Sequence, residues 1–197
     1  MKEFFSNIRG AVVSTFVLAV VCCGLYPLIV FGISQTFFPD KANGSLIVDQ
    51  DGTVRGSRLL GQAFTADKYF HARPSAAGNG YDAANSGGSN LGPTSKKLKE
   101  AIKDRIAAYR KENSVNENQP VPADAVTSSG SGLDPHISLR NAELQTPRVA
   151  KPRVISEEKV RELIQQNTDG RDLGLLGDPG VNVLTLNRAL DSLGANP

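Results

Sequence analysis

The chain has 197 residues, and its 22 Lys and Arg against 20 Asp and Glu give a formal net charge of +2. Basic and acidic residues are interspersed, and aromatic residues do not alternate with a basic patch, so the charge pattern excludes nucleic acid as a partner. The only two cysteines, Cys22 and Cys23, are adjacent in an apolar stretch, so the rest of the chain cannot contain a disulfide bond.

The first predicted element is a transmembrane helix at residues 11–33, within a run from Gly10 to Pro39 that has no charged residue. About 20 apolar residues suffice to cross the hydrocarbon core of a bilayer. A cleaved signal peptide is the alternative, because Lys2 and Arg9 form a basic start. Its apolar segment is typically about 7–15 residues long and ends at a small-residue cleavage site, which this run lacks. We therefore predict a retained membrane anchor.

The charges beside this helix predict its orientation. Lys2 and Arg9 precede the helix, whereas Asp40 and Lys41 after it cancel, and positive charge is retained on the cytoplasmic side. The predicted order is a cytoplasmic segment, a membrane helix and one extracytoplasmic domain, at residues 1–10, 11–33 and 34–197. The fold class is therefore α+β, with a single N-terminal transmembrane helix followed by one mixed α/β domain of ordinary size.

Three residues of the helix favour a contact within the membrane. Pro27 removes a backbone donor and is expected to kink or loosen the helix, which membrane helices tolerate when they pack against other helices. Gly24 and Gly32 permit the close approach of another helix. An ordinary lone anchor is the alternative. The span contains no Asp, Glu, Lys, Arg or His, so we do not expect it to carry an ion.

A hairpin and a long loop follow the helix. The apolar residues 46–48 are joined through Asp51 and Gly52, a strong turn pair, to a return strand. A calcium loop is excluded there, because the later ligand positions and the terminal Glu are missing. Residues 74–93 are crowded with Gly, Ser and Asn, and a loop of this length is unusual in a compact domain unless it is functional or disordered.

The second half of the chain is predicted to be mainly helical. Thr94 or Ser95 caps a helix whose buried face comprises Leu98, Ile102, Ile106 and Tyr109. A second small-residue loop covers residues 126–135. The next helix, from Ser138 to Gln145, is expected to be interrupted or kinked at Pro147.

Two elements complete the predicted order. A helix begins at Ser156, where acidic residues suit the positive end of its dipole, and it buries Val160, Leu163 and Ile164. Residues 181–186 are interpreted as a strand that precedes a short C-terminal helix at residues 187–193.

Histidine, aspartate and serine offer few routes to catalysis. The two histidines, His71 and His136, and Asp134 form a conceivable metal set, but their spacing matches no zinc pattern, and structural roles in turns and caps are the alternative. Ser131 lies near His136, yet Ser129 stands where the nucleophile-elbow motif requires a glycine. The sequence therefore predicts no catalytic residue and no metal site.

The segment from Asn85 to Asn90 reads NSGGSN. Paired glycines allow backbone amides to approach an anion and hydroxyls add donors, so Ser86, Gly87, Gly88 and Ser89 are a candidate phosphate-binding loop. The same composition is typical of a tight turn, including one that contacts another subunit.

Several uncommon phrases occur in a fixed order behind the N-terminal span. They are GQAFTADKYFHARPSA, NSGGSNLGPTS, TSSGSGLDPHIS, QTPRVAKPR and GVNVLTLNRALD. This set strongly resembles the C subunits of Kdp potassium-transporting P-type ATPases, over nearly the whole chain.

The resemblance implies a non-pumping partner in a complex of the bacterial inner membrane. In that family the B subunit hydrolyses ATP, the A subunit is channel-like and selects potassium, and a small F subunit is present. The C subunit has been proposed to raise the ATP affinity of the B subunit through a loop likened to the LSGGQ signature of ABC transporters. Here Ser86, Gly87 and Gly88 match that signature, Asn85 replaces its leucine, and Ser89 replaces its glutamine.

Three hypotheses of function follow. In the first, the domain is an extracytoplasmic cap near the potassium entrance that stabilises the complex. In the second, it activates the ATP-hydrolysing subunit by contacting the ATP that this partner holds. The predicted orientation opposes this role, because ATP is cytoplasmic. In the third, the chain is an anchored exported enzyme or solute-binding domain that uses His71, Asp134 and His136.

Overall fold

The structure, a computed structural model, describes residues 2–49 and 51–194. The chain divides into two units, Met1–Ser57 and Arg58–Pro197. One apolar helix at the N-terminus is followed by mixed helix and sheet, which confirms the predicted fold class.

The first unit begins with a continuous helical rod. Helix α1 (Lys2–Ala19) passes through a π-helical turn (Val20–Leu25) into α2 (Tyr26–Phe37). Pro27 lacks an N–H group, and its ring would clash with the carbonyl four residues earlier in a regular α-helix. A π-turn widens the helix just before this proline, so the loosening predicted at Pro27 takes this form.

This rod is longer than the predicted span. It covers 35 residues from Glu3 to Phe37 and is long and apolar enough to cross a membrane. None of the residues in its most apolar window is buried within the chain. The length and the exposure of the helix fit a single-pass membrane protein.

A short helix and a hairpin complete the first unit. Helix α3 spans Pro39–Ala42, and strands β1 (Leu46–Val48) and β2 (Val54–Ser57) pair antiparallel. The Asp49 N–H donates to the Thr53 carbonyl across the turn. The predicted hairpin is confirmed.

The second unit contains five α-helices, one 3₁₀-helical turn (Ala83–Asn85) and a small sheet among its described residues. The helices are α4 (Lys96–Asn113), α5 (Ala123–Val126), α6 (Leu139–Arg153), α7 (Glu157–Gln166) and α8 (Val183–Gly194). The strands are β3 (His136–Ile137), β4 (Thr168–Asp169) and β5 (Gly180–Asn182), and β5 lies between the other two, antiparallel to both. A buried apolar cluster joins the sheet to α6, α7 and α8 and includes Phe70, Ile137, Val149, Val160, Ile164, Val181, Leu186 and Leu190.

Residues 58–74, which we call the arm, have almost no regular structure, yet Phe70 within it is fully buried. Side-chain amides supply the hydrogen bonds that a neighbouring strand would otherwise provide. Asn187 accepts from the Phe70 N–H (2.8 Å) and donates to the Phe70 carbonyl (2.9 Å). Gln145 holds the N–H and the carbonyl of His71 in the same way, at 2.8 and 3.1 Å. These two amides fix the arm against α6 and α8.

Two predicted elements are wrong in detail. Helix α6 is not interrupted at Pro147 but continues to Arg153, through a second proline at position 152. Both prolines are exposed, so the carbonyl groups that they leave unpaired face water instead of the core. Caps at Ser95 and Ser156 were predicted correctly.

The predicted strand at residues 181–186 ends after Asn182. The Asn182 side chain accepts from the Thr185 N–H (3.2 Å), which is the geometry of a helix N-cap. This cap begins α8 at Val183, four residues before the predicted start. Capping by asparagine therefore outweighs the strand propensity of Val183.

Candidate functional site

The candidate phosphate loop packs against the second small-residue loop. We call residues 86–90 and 128–132 together the loop pair. The Gly87 N–H donates to the Ser131 carbonyl at 2.9 Å, and the Ser86 hydroxyl donates to the same oxygen at 3.0 Å. The two loops therefore hold each other through backbone groups.

Two glycines of the loop pair, Gly88 and Gly132, are required by this packing. A Cβ at Gly88 would lie 3.0 Å from the Gly130 carbonyl oxygen. A Cβ at Gly132 would lie 2.6 Å from the Gly87 carbonyl oxygen and 2.7 Å from the Ala77 nitrogen. Gly132 also has φ +68°, where residues with a side chain are strained.

This geometry assigns the glycine-rich sequence a structural role. A phosphate cradle needs backbone N–H groups that point at the anion, whereas the Gly87 N–H and the Ser86 hydroxyl already bind the Ser131 carbonyl. Ser89 is exposed. The loop thus presents a surface at Ser89, and its first two candidate donors face the neighbouring loop.

His71 lies beside a small polar cavity. Its Nδ1 is 2.6 Å from Glu112 Oε1, and its Nε2 is 3.2 Å from the Ala66 carbonyl. The hydrogen bond with His71 lowers the pKa of Glu112 against the opposing effect of burial, and Arg148, 3.5 Å away, lowers it further. The cavity, of about 180 Å³, is also lined by Tyr109 and Gln145. It is smaller than the roughly 300 Å³ at which small-molecule sites begin. A second, more open cavity of about 450 Å³ also has His71 and Glu112 in its lining, together with Phe64, Arg73 and Tyr81.

His136 bridges the two outer strands of the sheet. Its Nε2 lies 2.8 Å from Asp169 Oδ2 on β4, and its Nδ1 lies 3.5 Å from Asp134 Oδ1. The imidazole crosses the middle strand at Gly180, where a Cβ would lie 3.0 Å from the His136 Cβ. A glycine in β5 therefore makes room for the ring to reach from β3 to β4.

Two arginines pair with the carboxylates on either side of His136. Arg73 pairs with Asp134 at 2.8 Å, and Arg58 pairs with Asp169. We call these five residues the ion chain, in the order Arg58, Asp169, His136, Asp134 and Arg73.

Each carboxylate of the ion chain stabilises the charged imidazole. Asp134 raises the pKa of His136, burial opposes the increase, and Asp169 adds to it. Burial by itself would raise the pKa of Asp134, but hydrogen bonds from His136 and Arg73 lower it to about 2. A base for catalysis would need a free imidazole face and a nearby nucleophile, whereas both nitrogens of His136 face carboxylates. The arrangement is suited to holding strands together.

The structure does not assemble the conceivable metal set of His71, Asp134 and His136. His71 pairs with Glu112, whereas His136 and Asp134 belong to the ion chain. Within residues 2–49 and 51–194, no group of three or more His, Cys, Asp or Glu side chains is placed to hold a metal ion.

Of the three helix residues singled out for subunit contact, Gly24 lines an open groove, whereas Pro27 and Gly32 are not among its lining residues. The groove has a volume of about 590 Å³ and is lined by Ala19, Val20, Cys23, Gly24, Leu25 and Leu28. No atom of the described chain lies within 4 Å of a Cβ built at Gly24 or Gly32. The π-turn before Pro27 and the small side chains thus leave a notch on the helix, which we call the helix notch.

Sequence reasoning missed the structural amides and the partner of His136. Asn187 and Gln145 occupy core-facing helical positions where apolar residues are expected, and this mismatch was the available signal. Asp169 belongs to none of the motifs predicted from the sequence, and Gly180 was predicted only as the end of a turn at residues 177–180. Only the three-dimensional structure brings these two residues to His136.

Comparison with known proteins gives consistent matches. The family model KdpC, described as K+-transporting ATPase, c chain, matches residues 8–192. The "Potassium-transporting ATPase KdpC subunit" of Mycobacterium tuberculosis strain H37Rv is 57% identical over 183 residues, covering 93% of this chain and 96% of that protein. Proteins of the same name from Caulobacter vibrioides and Koribacter versatilis are 52% and 49% identical, over 95% and 96% of this chain and 93% and 94% of their own.

Proposed function

This chain belongs to the KdpC family, the c chains of K+-transporting ATPases, and we propose from that premise that it is a non-pumping accessory subunit that stabilises an ATP-driven potassium uptake complex. The observation that carries the proposal is the contrast between polar groups that are already bonded within the chain and an apolar surface that the chain does not cover. The candidate chemical groups of the second unit bind one another, whereas the surface of the apolar helix is left uncovered.

The helix notch supports a contact with another membrane helix. Packing between helices in lipid relies on small residues that let backbones approach, and Gly24 and Gly32 have open space around them. A π-turn and a proline disturb an isolated helix, and neighbouring helices compensate such disturbance in membranes. The proposed occupant of the notch is a transmembrane helix of another subunit, the A, B or F chain by resemblance.

The charges flanking the helix support an extracytoplasmic position for the second unit. Arg9 and Lys2 precede the span, and the first charged residues after it, Asp40 and Lys41, cancel. In this orientation, at the bacterial inner membrane, the domain acts as a cap near the potassium entrance. The opposite orientation would place Ser89 in the cytoplasm, as the nucleotide-activator hypothesis requires.

Cysteine labelling on intact cells separates these two positions. In a chain with Cys22→Ala and Cys23→Ala, Ser89→Cys provides one exposed thiol on the loop pair. We expect an impermeant maleimide to label it without lysis. Ser6→Cys, in the predicted cytoplasmic segment, is the matched control and should react only after lysis. If Ser89→Cys also reacts only after lysis, the cap is wrong.

The role in assembly and the role in nucleotide binding are tested on the complex itself. The tagged chain should co-purify with the other ATPase subunits from detergent extracts. A Ser86→Ala, Ser89→Ala variant should leave both the yield of complex and the KM for ATP unchanged. A several-fold higher KM for ATP at unchanged yield would instead support the nucleotide-activator hypothesis. Failure of the wild-type chain to co-purify would contradict the accessory-subunit proposal.

A further inference from the structure

The loop between β4 and β5 exposes three leucines within four residues. Leu173, Leu175 and Leu176 are 92%, 81% and 62% exposed. We call residues 170–179 the leucine finger. Single exposed apolar residues are common on soluble domains, but a contiguous group of this kind marks an interaction site.

The leucine finger is held in one conformation by its own backbone. Asp172 and Leu176 exchange two N–H to carbonyl hydrogen bonds, each 2.9 Å long. Between them Leu173 adopts φ +53°, in the left-handed region that bulky residues avoid, and Gly174 follows at φ +76°. Arg171 pairs with Asp178 across the base at 3.3 Å. The leucines are therefore presented on a closed turn, which reduces the entropy lost on binding.

The base of the finger is anchored to the sheet. Asp169, which precedes the finger, is bound by His136 and Arg58, and Gly180, which follows it, lies under the His136 ring. The ion chain thus fixes both ends of the finger. A rigid apolar projection of this size suits insertion into a preformed cleft.

The charges of the finger favour a protein over a lipid surface. Its three charged residues are Arg171, Asp172 and Asp178, and this acidic excess is repelled by anionic headgroups. Segments that lie in membrane interfaces combine basic residues with Trp or Phe, and the finger has neither aromatic residue. Arg171 is paired with Asp178, so Asp172 is the remaining charge. A cleft with aliphatic or aromatic walls and a basic rim fits the leucines and Asp172 together.

We infer that the leucine finger docks into an apolar cleft with a basic rim on another chain of the same ATPase. The inference rests on the proposed accessory-subunit function, because a subunit of a complex must have a docking surface. It assigns that surface to residues outside the loop pair and outside the helix notch.

The test pairs two substitutions that share one backbone conformation. Leu173→Asn removes the apolar side chain at a left-handed position, which asparagine tolerates. Val154 is also 92% exposed, has φ +55°, and lies elsewhere on the unit, so Val154→Asn is the matched control. In co-expressed, detergent-purified complex, Leu173→Asn with Leu175→Ser should increase the dissociation rate of this chain at least tenfold, and Val154→Asn should not change it.

Two results would overturn the inference. One is that the wild-type complex assembles and the complex of the double variant dissociates as slowly as the wild-type complex. This result would leave the accessory-subunit function unaffected. The other comes from Leu175→Cys carrying a photocrosslinker in the background without Cys22 and Cys23. An adduct with another ATPase chain supports the inference, whereas an adduct only with lipid or with a second copy of this chain contradicts it. If the wild-type chain does not assemble at all, the proposed function itself fails.

Discussion

Two closely packed glycines of the second unit and two glycines of the N-terminal helix have opposite surroundings. In the second unit, a Cβ at Gly61 would lie 2.8 Å from the Asp134 carbonyl oxygen, and one at Gly132 would lie 2.6 Å from the Gly87 carbonyl oxygen. In the helix, a Cβ at Gly24 or Gly32 would meet no atom of the described chain within 4 Å. The packing of the second unit thus requires Gly61 and Gly132, whereas Gly24 and Gly32 of the helix leave space that the described chain does not fill.

Polar groups show the same contrast. In the second unit, side chains from α6 and α8 satisfy the backbone of the arm, which no strand pairs. In the helix, the backbone is satisfied internally, and the hydroxyls of Ser14 and Thr36 bond back to Gly10 and Gly32 carbonyls at 2.7 Å. The second unit is therefore built from long-range contacts, and its stability should respond to substitutions that the helix tolerates.

The largest loss of stability is expected for Asn187→Ala. This change leaves the N–H and the carbonyl of the fully buried Phe70 without their partners, and each unsatisfied buried group costs about 1–3 kcal/mol. We expect the free energy of unfolding to fall by about 3–4 kcal/mol. Urea unfolding of the full chain in detergent, followed by tyrosine fluorescence, measures it. Asn118→Ala, at an exposed loop position, is the control, and an equal loss there would contradict the assigned role.

Gly132→Ala tests the packing of the loop pair. The new methyl group would approach two backbone atoms within 2.7 Å and would hold alanine at φ +68°. Overpacking costs about 1–3 kcal/mol, and the strained backbone adds about 1 kcal/mol, so we expect a loss of about 2–4 kcal/mol. Gly130→Ala is matched within the same loop, because a Cβ there meets nothing within 4 Å. Similar melting temperatures of the two variants would show that the loops can separate.

The sequence predicted the parts of the fold that depend on local signals. The apolar run, the Asp51–Gly52 turn and the caps at Ser95 and Ser156 each act within a few residues, so they are visible in one dimension. Asn182 was missed because strand propensity and capping compete at the same position. The helix interruption predicted at Pro147 was not found, because the effect of a proline depends on whether the helix face at that position meets water.

The candidate site depended on contacts that no local pattern records. Ser86 and Gly87 were identified from composition, but their common partner Ser131 is 44 or more residues away in the chain. The cross-sheet reach of His136 requires Gly180 below it and Asp169 beyond it. Such arrangements follow from the pairing of β3 with β5 and of β4 with β5, which the sequence did not predict.

The ion chain predicts a moderate dependence of stability on pH. The pKa of His136 is raised from 6.5, so its contribution is fully present below pH 6.5 and is lost as the pH rises through the raised value. The pKa of Asp134 is lowered to about 2 from 3.8, so its contribution is present above pH 3.8 and is lost towards pH 2. His136→Gln should therefore lower the unfolding free energy most at pH 5–6, by about 1 kcal/mol because the pairs are partly exposed, and least at pH 9.

Gly180→Ala provides an independent check of the same geometry. Its methyl group would lie 3.0 Å from the His136 Cβ and 3.2 Å from its Cγ, which displaces the ring from Asp169. The unfolding free energy of this variant should show the same weakened pH dependence as that of His136→Gln. Unfolding curves at pH 5.5 and 9 that shift equally for both variants and the wild type would show that the ion chain does not contribute.

The smallest effect on the isolated chain is expected for Gly24→Leu, and it separates the two units most clearly. The side chain enters open space, and leucine favours a helix over glycine by about 0.8 kcal/mol, so unfolding of the second unit should not change. If the helix notch receives another helix, the same leucine fills it and the amount of co-purified ATPase complex should fall several-fold. Gly10→Leu, another helix glycine with open space but outside the notch, should leave the yield intact. Equal yields for both variants would mean that the helix is a lone anchor and that the open space around Gly24 is not a contact surface for another helix.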